Sequence, residues 1–200
     1  MTCVAILDRD GTIIDVVRDE ETGTVTVAFH PEQIRILPGA IAGMRALQDG
    51  GFALAIATNQ PAPAKGQFSA AAVARTNEAL GSRLQQEGLR IAAFEVCMHH
   101  PEGGPGGDPA LVRACECRKP KGGMLDAIVV RLGADRKGSW MLGDSAGDIE
   151  AARRAGLKAG LVFAAARCEL CPLRAGFGQL APDASGSTLS ELAAAILRHA

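Results

Sequence analysis

Cys3-Val4-Ala5-Ile6-Leu7-Asp8-Arg9-Asp10-Gly11-Thr12 is the stretch on which the fold of this 200-residue chain turns. Residues 3–7 are an unbroken apolar run, the pattern of a strand covered on both faces, and Gly11 closes it with a turn. Two carboxylates one residue apart at the end of a buried strand repel each other, and partial burial raises the cost. A hard cation held between them offsets that cost and can also grip a phosphate. Taken alone, Asp-x-Asp-Gly fits an Asx-type turn or a calcium loop about as well.

Outward from this stretch, short apolar runs alternate with helical patterns. Strands are predicted at 3–7, 52–57, 91–97, 139–142 and 159–163, and helices at 39–48, 69–87, 122–132, 146–155 and 188–198. The last helix opens on a capping-box pattern, Thr188-x-x-Glu191. Continuous apolar strands alternating with helices predict an α/β fold: a doubly wound, Rossmann-like parallel sheet with helices on both faces. One domain over residues 1–200 is expected, with no large cap. Three segments interrupt the alternation. Residues 12–30 hold Thr24-Val25-Thr26-Val27, which predicts a small hairpin or flap; residues 97–121 form a Gly/Pro-rich loop; residues 164–186 read as irregular.

Composition narrows the function. Hydrophobic content of 48% and charged content of 22% are those of an ordinary globular protein, and a net charge of −1 gives no general pull toward nucleic acid or anionic membrane. With no Tyr and one Trp, stacking platforms for single-stranded nucleic acid are not expected. No basic segment precedes the first strand, and the apolar runs at 52–57 and 159–166 are too short to span a bilayer. A cytoplasmic protein is therefore expected, with its six cysteines as thiols or metal ligands. No stretch stands out as an interface, so monomer is the default.

The chemistry-bearing residues recur at predicted strand ends: Asp8 and Asp10 after the first, Thr58 and Asn59 after the second, Arg118 and Lys119 in the loop after the third, Asp144 and Asp148 after the fourth. They supply a nucleophile, hydrogen-bond donors, fixed cations and further acid, which are the parts of in-line phosphoryl transfer. In type and order they resemble the four motifs of the haloacid dehalogenase superfamily, whose phosphatases form an aspartyl-phosphate. The resemblance implies that Asp8 is the nucleophile and Asp10 the general acid and base. It implies magnesium on Asp8, the Asp10 backbone carbonyl and Asp144, with Asp148 supporting, and phosphoryl contacts from Thr58 and Lys119. Arg9, Asn59, Gln60 and Arg118 are the expected substrate contacts.

Cys97-Met98-His99 and, fifteen residues on, Cys115-Glu116-Cys117 offer three thiolates and an imidazole, a set suited to tetrahedral zinc. The spacing is tighter than in paired Cys-x-x-Cys sites, His100 competes with His99, and the plain alternative is a set of reduced thiols. The run from Cys97 to Pro120 closely resembles the zinc loop of the heptose 1,7-bisphosphate and histidinol-phosphate phosphatases. That resemblance selects His99 and implies a structural zinc that positions Arg118 and Lys119. It also implies magnesium-dependent removal of the 7-phosphate of D-glycero-D-manno-heptose 1,7-bisphosphate, within nucleotide-activated heptose biosynthesis. The alternatives are a histidinol-phosphate or other small sugar-phosphate phosphatase, or a zinc-stabilised binding protein on an inactive phosphatase fold. Two departures bear on substrate: Pro61-Ala62-Pro63-Ala64-Lys65-Gly66 replaces the usual glycine-containing turn ending in Arg, and Ser145 stands where many members carry Lys. By position, Arg18 and Asp19 of the flap are further sugar contacts. Cys168 and Cys171 are assigned no role.

Overall fold

The structure, a computed structural model, describes residues 2–18, 21, 23–163 and 181–198. In chain order its strands are β1 (Val4–Leu7), β2 (Val17–Arg18), β3 (Val25–Thr26), β4 (Ala53–Asn59), β5 (Ile91–Cys97), β6 (Trp140–Gly143), β7 (Lys158–Val162) and β8 (Ala184–Gly186). The helices are α1 (Ala40–Asp49), α2 (Ala70–Gln86), α3 (Gly123–Leu132), α4 (Ala146–Arg154) and α5 (Leu189–Leu197). Six strands form one sheet in the order β5-β4-β1-β6-β7-β8, and every pairing in it is parallel. Starting from β1, the chain winds first to one side and then to the other, so the expected doubly wound topology is found. The direction reverses between β1 and β6, the point where such sheets open a crevice for ligands.

Alternation along each strand divides the interior into two cores. Ala5, Leu7, Leu54, Ile56, Trp140 and Leu142 pack with α1, α2 and α5. Val4, Ile6, Ala55, Ala57, Met141 and Leu161 pack with α3 and α4. In β4 the large residues all face the first core and the alanines the second, which lets α3 and α4 lie close to the sheet. Each fully buried Leu or Ile stabilises by about 1.5–3 kcal/mol, so both layers are firmly held. At the start of α5, Thr188 Oγ1 accepts from Glu191 N at 3.2 Å. The other half of the expected capping box shifts by one residue: Glu191 accepts from Ser187 N at 2.9 Å.

Two sequence expectations change, and the expected flap takes the form of a hairpin. β4 continues to Asn59, so Thr58 and Asn59 are its last residues instead of following it. β8 forms inside the stretch read as irregular, through pairing with β7 from Gly160↔Ala184 to Val162↔Gly186. The flap is a short hairpin, β2 against β3, with Val17 opposite Thr26. Asp19, Cys168 and Cys171 lie outside the described residues.

Candidate active site

Asp8 leaves the end of β1 with its backbone N–H donated to Leu142 O of β6 at 2.8 Å, so the reversal point of the sheet itself seats the nucleophile candidate. Asp144 and Asp148 come from the end of β6 and the first turn of α4, and the carboxylates of Asp8, Asp144 and Asp148 converge within 4.8 Å of one another. Two glycines make the convergence possible. A Cβ at Gly11 (φ +84°) would overlap the Asp144 carboxylate, and one at Gly143 would overlap that of Asp148.

Lys119 reaches this cluster from the long loop. Its Nζ lies 2.7 Å from Asp8 Oδ1 and 2.6 Å from Asp148 Oδ1, and it donates to Ala57 O at 2.8 Å. The acids on either side hold its charge, raising its pKa against the opposing effect of burial. The other Asp148 oxygen accepts from Ser145 N at 3.1 Å and Ser145 Oγ at 2.5 Å, so Asp148 braces both the lysine and the start of α4. Burial raises the Asp8 carboxyl to about 7; Lys119 opposes the rise, while Asp148 and Asp10 add to it. Three converging acids, in a space cleared by two glycines, suit a small oxygen-loving dication.

Lys119 thus joins the acidic cluster, while Thr58, near the end of β4, is buried and accepts from Gln60 Nε2 at 2.9 Å. Asn59, expected at the substrate, is committed to the lysine's main chain: Nδ2 donates to Lys119 O at 2.9 Å, and Oδ1 accepts from Lys119 N at 3.0 Å. Arg9 and Gln60, expected there too, are each wholly buried. Arg9 pairs with Asp10, and Gln60 donates to Asp10 and to Thr58. Sequence reasoning missed Asn77, which accepts from Arg9 Nη1 at 2.6 Å; a polar residue on the buried side of amphipathic α2 was its one visible signal. A cavity of about 680 Å³ opens on Gly11, Thr12 and Asp144, with Lys65, Gln67 and the hairpin among its walls. A larger one between α2 and β5 touches none of the motif residues. Arg18 of the flap pairs with Asp15 at 3.3 Å.

The second cluster forms as the Cys/His pattern anticipates. Sulfurs of Cys97, Cys115 and Cys117 lie 3.0 to 3.6 Å apart, with His99 Nδ1 3.2 Å from Cys117 Sγ and 3.8 Å from Cys97 Sγ. Around zinc, with bonds of about 2.3 Å, sulfurs sit about 3.8 Å apart, so a small outward relaxation admits the ion. Burial keeps the Cys97 thiol well above its usual range, a state that a bound cation would reverse. Burial, with Arg113 nearby, lowers the His99 pKa and so favours the neutral imidazole that a ligand must be. Ligation through Nδ1 puts the proton on Nε2, so Arg113, now 2.8 Å from that nitrogen, would have to turn away. His100 is elsewhere: its Nδ1 accepts from Glu102 N and Gly103 N at 3.3 and 3.1 Å.

The glycines between these ligands serve close packing as well as turning. A Cβ at Gly104 or Gly107 would run into the main chain of Lys65 or Ala64, one at Gly66 into Pro105 O, and one at Gly103 into the Val112 side chain. Asp108 N also donates to Pro63 O at 3.0 Å. The loop is thus seated on the 61–66 turn besides being gathered at its cysteines.

Comparison with known proteins agrees with this geometry. Residues 116–166 match the model of the HAD-hydrolase-like family. A D-glycero-beta-D-manno-heptose-1,7-bisphosphate 7-phosphatase of Pseudomonas aeruginosa is 36% identical over 148 residues, 74% of each chain. The relative from Photorhabdus laumondii, 31% identical over 77% of this chain and 78% of its own, is named for the alpha anomer. Among solved structures, the D,D-heptose 1,7-bisphosphate phosphatase of B. bronchiseptica, complexed with magnesium and phosphate, superposes over the whole of both chains with a TM-score of 0.77 and 28% identity. The chain belongs to the HAD-like hydrolases, in the family of the heptose-1,7-bisphosphate 7-phosphatases.

Proposed function

We propose that this protein is a phosphoric monoester hydrolase that removes the 7-phosphate of D-glycero-D-manno-heptose 1,7-bisphosphate, supplying heptose 1-phosphate for nucleotide-activated heptose synthesis. The observation that carries the proposal is the meeting of Asp8, Asp144 and Asp148 within 4.8 Å, with Lys119 Nζ 2.7 Å from Asp8, at the reversal point of a doubly wound sheet.

In the first half-reaction an Asp8 oxygen bonds to phosphorus while the bond from phosphorus to the sugar oxygen breaks, and Asp10 gives that oxygen its proton. In the second, water bonds to phosphorus, its proton passes to Asp10, and the Asp8–phosphorus bond breaks. Inorganic phosphate leaves, and both carboxyls return to their starting states. Lys119 and the Thr58 hydroxyl serve the phosphoryl oxygens, where charge fixed in advance stabilises best. Magnesium, held by Asp8, Asp144 and the Asp10 carbonyl with Asp148 in support, would offset the repulsion between carboxylate and phosphate. Zinc on Cys97, His99, Cys115 and Cys117 would be structural, fixing the start of Arg118-Lys119, with Arg118 directed to the leaving group. Among the described residues no helix is long and apolar enough to cross a membrane, and the large exposed apolar side chains are Val25 and Val130. The scarcity of exposed apolar side chains supports a monomer.

The test is phosphate release, with magnesium, from both anomers of heptose 1,7-bisphosphate and from histidinol phosphate. The bisphosphate is expected to be turned over most efficiently, and Asp8→Asn to abolish turnover while zinc is retained. Full activity in Asp8→Asn would overturn the mechanism, and preference for histidinol phosphate would overturn the substrate.

A further inference from the structure

Arg9 cannot contact a substrate, because its guanidinium has no free face. It is fully buried. Nε donates to Asp10 Oδ2 at 3.0 Å and Nη2 to Asp10 Oδ1 at 2.9 Å. Nη1 goes to Asn77 of α2 at 2.6 Å, and Nη2 also donates to Ala28 O at 3.1 Å. The result is a two-pronged grip on the neighbouring carboxylate, a geometry that fixes orientation as well as supplying charge. The anchor points, one on a helix and one beyond the hairpin, keep the guanidinium from turning.

Gln60 completes the grip from the other side. Its main-chain N–H is tied to Cys97 O at 2.7 Å, and Nε2 donates to Asp10 Oδ2 at 2.6 Å and Thr58 Oγ1 at 2.9 Å. Among the described residues its Oε1 is buried without a hydrogen-bond partner. An orphaned buried acceptor costs about 1–3 kcal/mol. Turning the amide over would set Oε1 against the Asp10 carboxylate, so the cost is tolerated to keep an N–H on Asp10.

We propose that Arg9 and Gln60 are positioning residues for the proton transfers. They hold the Asp10 carboxyl group at the angle from which it gives a proton to the leaving oxygen and then, as the carboxylate, takes one from water, and Gln60 ties that angle to Thr58 on the phosphoryl side. This rests on the acid/base role of Asp10 in the reaction above. A carboxylate left to rotate would spend much of its time out of line, and a displacement of about 1 Å can cost about a hundredfold in rate.

The experiment follows release of the leaving group in the first turnover, with magnesium present, for two substrates. A sugar phosphate leaves as an alkoxide and needs the proton; 4-nitrophenyl phosphate leaves as a stabilised phenolate and does not. Gln60→Ala is expected to slow the sugar phosphate by about a hundredfold at saturation, to slow the aryl phosphate by at least about tenfold less, and to leave the half-saturating sugar phosphate concentration within about threefold. Asp10→Asn, run alongside, is expected to show the same split in larger measure. Equal losses on both substrates in Gln60→Ala, with the split kept in Asp10→Asn, would overturn the positioning role alone. So would a change confined to the half-saturating concentration. Equal losses in Asp10→Asn would overturn the acid role and the inference with it. Arg9→Met is the companion variant; should it fail to fold, Gln60→Ala decides by itself.

Discussion

Replacing Gly11 by alanine tests the geometry of the acidic cluster most sharply. The substitution does two separable things. It forces a side chain into a left-handed conformation (φ +84°), which costs about 1–2 kcal/mol. It also pushes a methyl group into the Asp144 carboxylate, so that the carboxylate or the turn must retreat by about 1 Å to reach the 3.0 Å that real Cβ contacts keep. Gly133 offers a matched control: its φ is +57°, and a Cβ there meets nothing within 4 Å. Both alanine variants are expected to lower the melting temperature by about 2–8 °C. Only Gly11→Ala should lose magnesium-dependent turnover, by about a hundredfold, with weaker magnesium binding. Melting curves and phosphate release across a magnesium titration measure all of this. Turnover in Gly11→Ala within about threefold of Gly133→Ala would refute the claim that close approach of residue 11 places Asp144.

Further outcomes follow from the buried charges and thiols. In the metal-free protein Asp8 titrates at about 7, above the 3.8 of a free carboxylate, so folding takes up a proton between those values. The stability it contributes is complete below pH 3.8 and lost as pH rises through 7. Melting temperature should therefore fall from pH 6 to pH 8, Asp8→Asn should flatten that slope, and magnesium binding near pH 7 should release a proton measurable by calorimetry in buffers of different ionisation enthalpy. Lys119→Met leaves Asp8 and Asp148 facing each other without a cation, and urea denaturation should show a loss of about 3–5 kcal/mol, partly recovered with magnesium. Cys117→Ser should lose bound zinc by metal analysis, together with turnover, since Lys119 lies two residues away. Retained zinc with full activity would refute that ligand set.

The sheet and helices were legible because burial on both faces and burial on one leave different periodicities. β8 was not: Ala184-Ser185-Gly186 has no apolar run and becomes a strand only because β7 offers it an edge. The site divided in the same way. Asp8, Thr58, Lys119 and Asp144 announce themselves by residue type and order. What each does to the others depends on contacts far apart in the chain, such as Arg9 with Asn77 or Asn59 with Lys119. An arginine between two aspartates resembles a substrate contact in sequence. Packing turned it inward, because the turn after β1 and helix α2 enclose it completely.

The seating of the glycine-rich loop on the 61–66 turn has an evolutionary consequence. Gly104 and Gly107 meet Lys65 and Ala64, and Gly66 meets Pro105, backbone to backbone, so at these points the two segments form a lock and key of main chain, with no side chains to absorb a mismatch. Lys65 lines the cavity, and Arg118 follows the loop's last cysteine. Neither segment can drift in length or shape alone. A chimaera that borrows a relative's loop without its turn should misfit, whereas exchanging the two as one cassette should carry that relative's substrate preference with it.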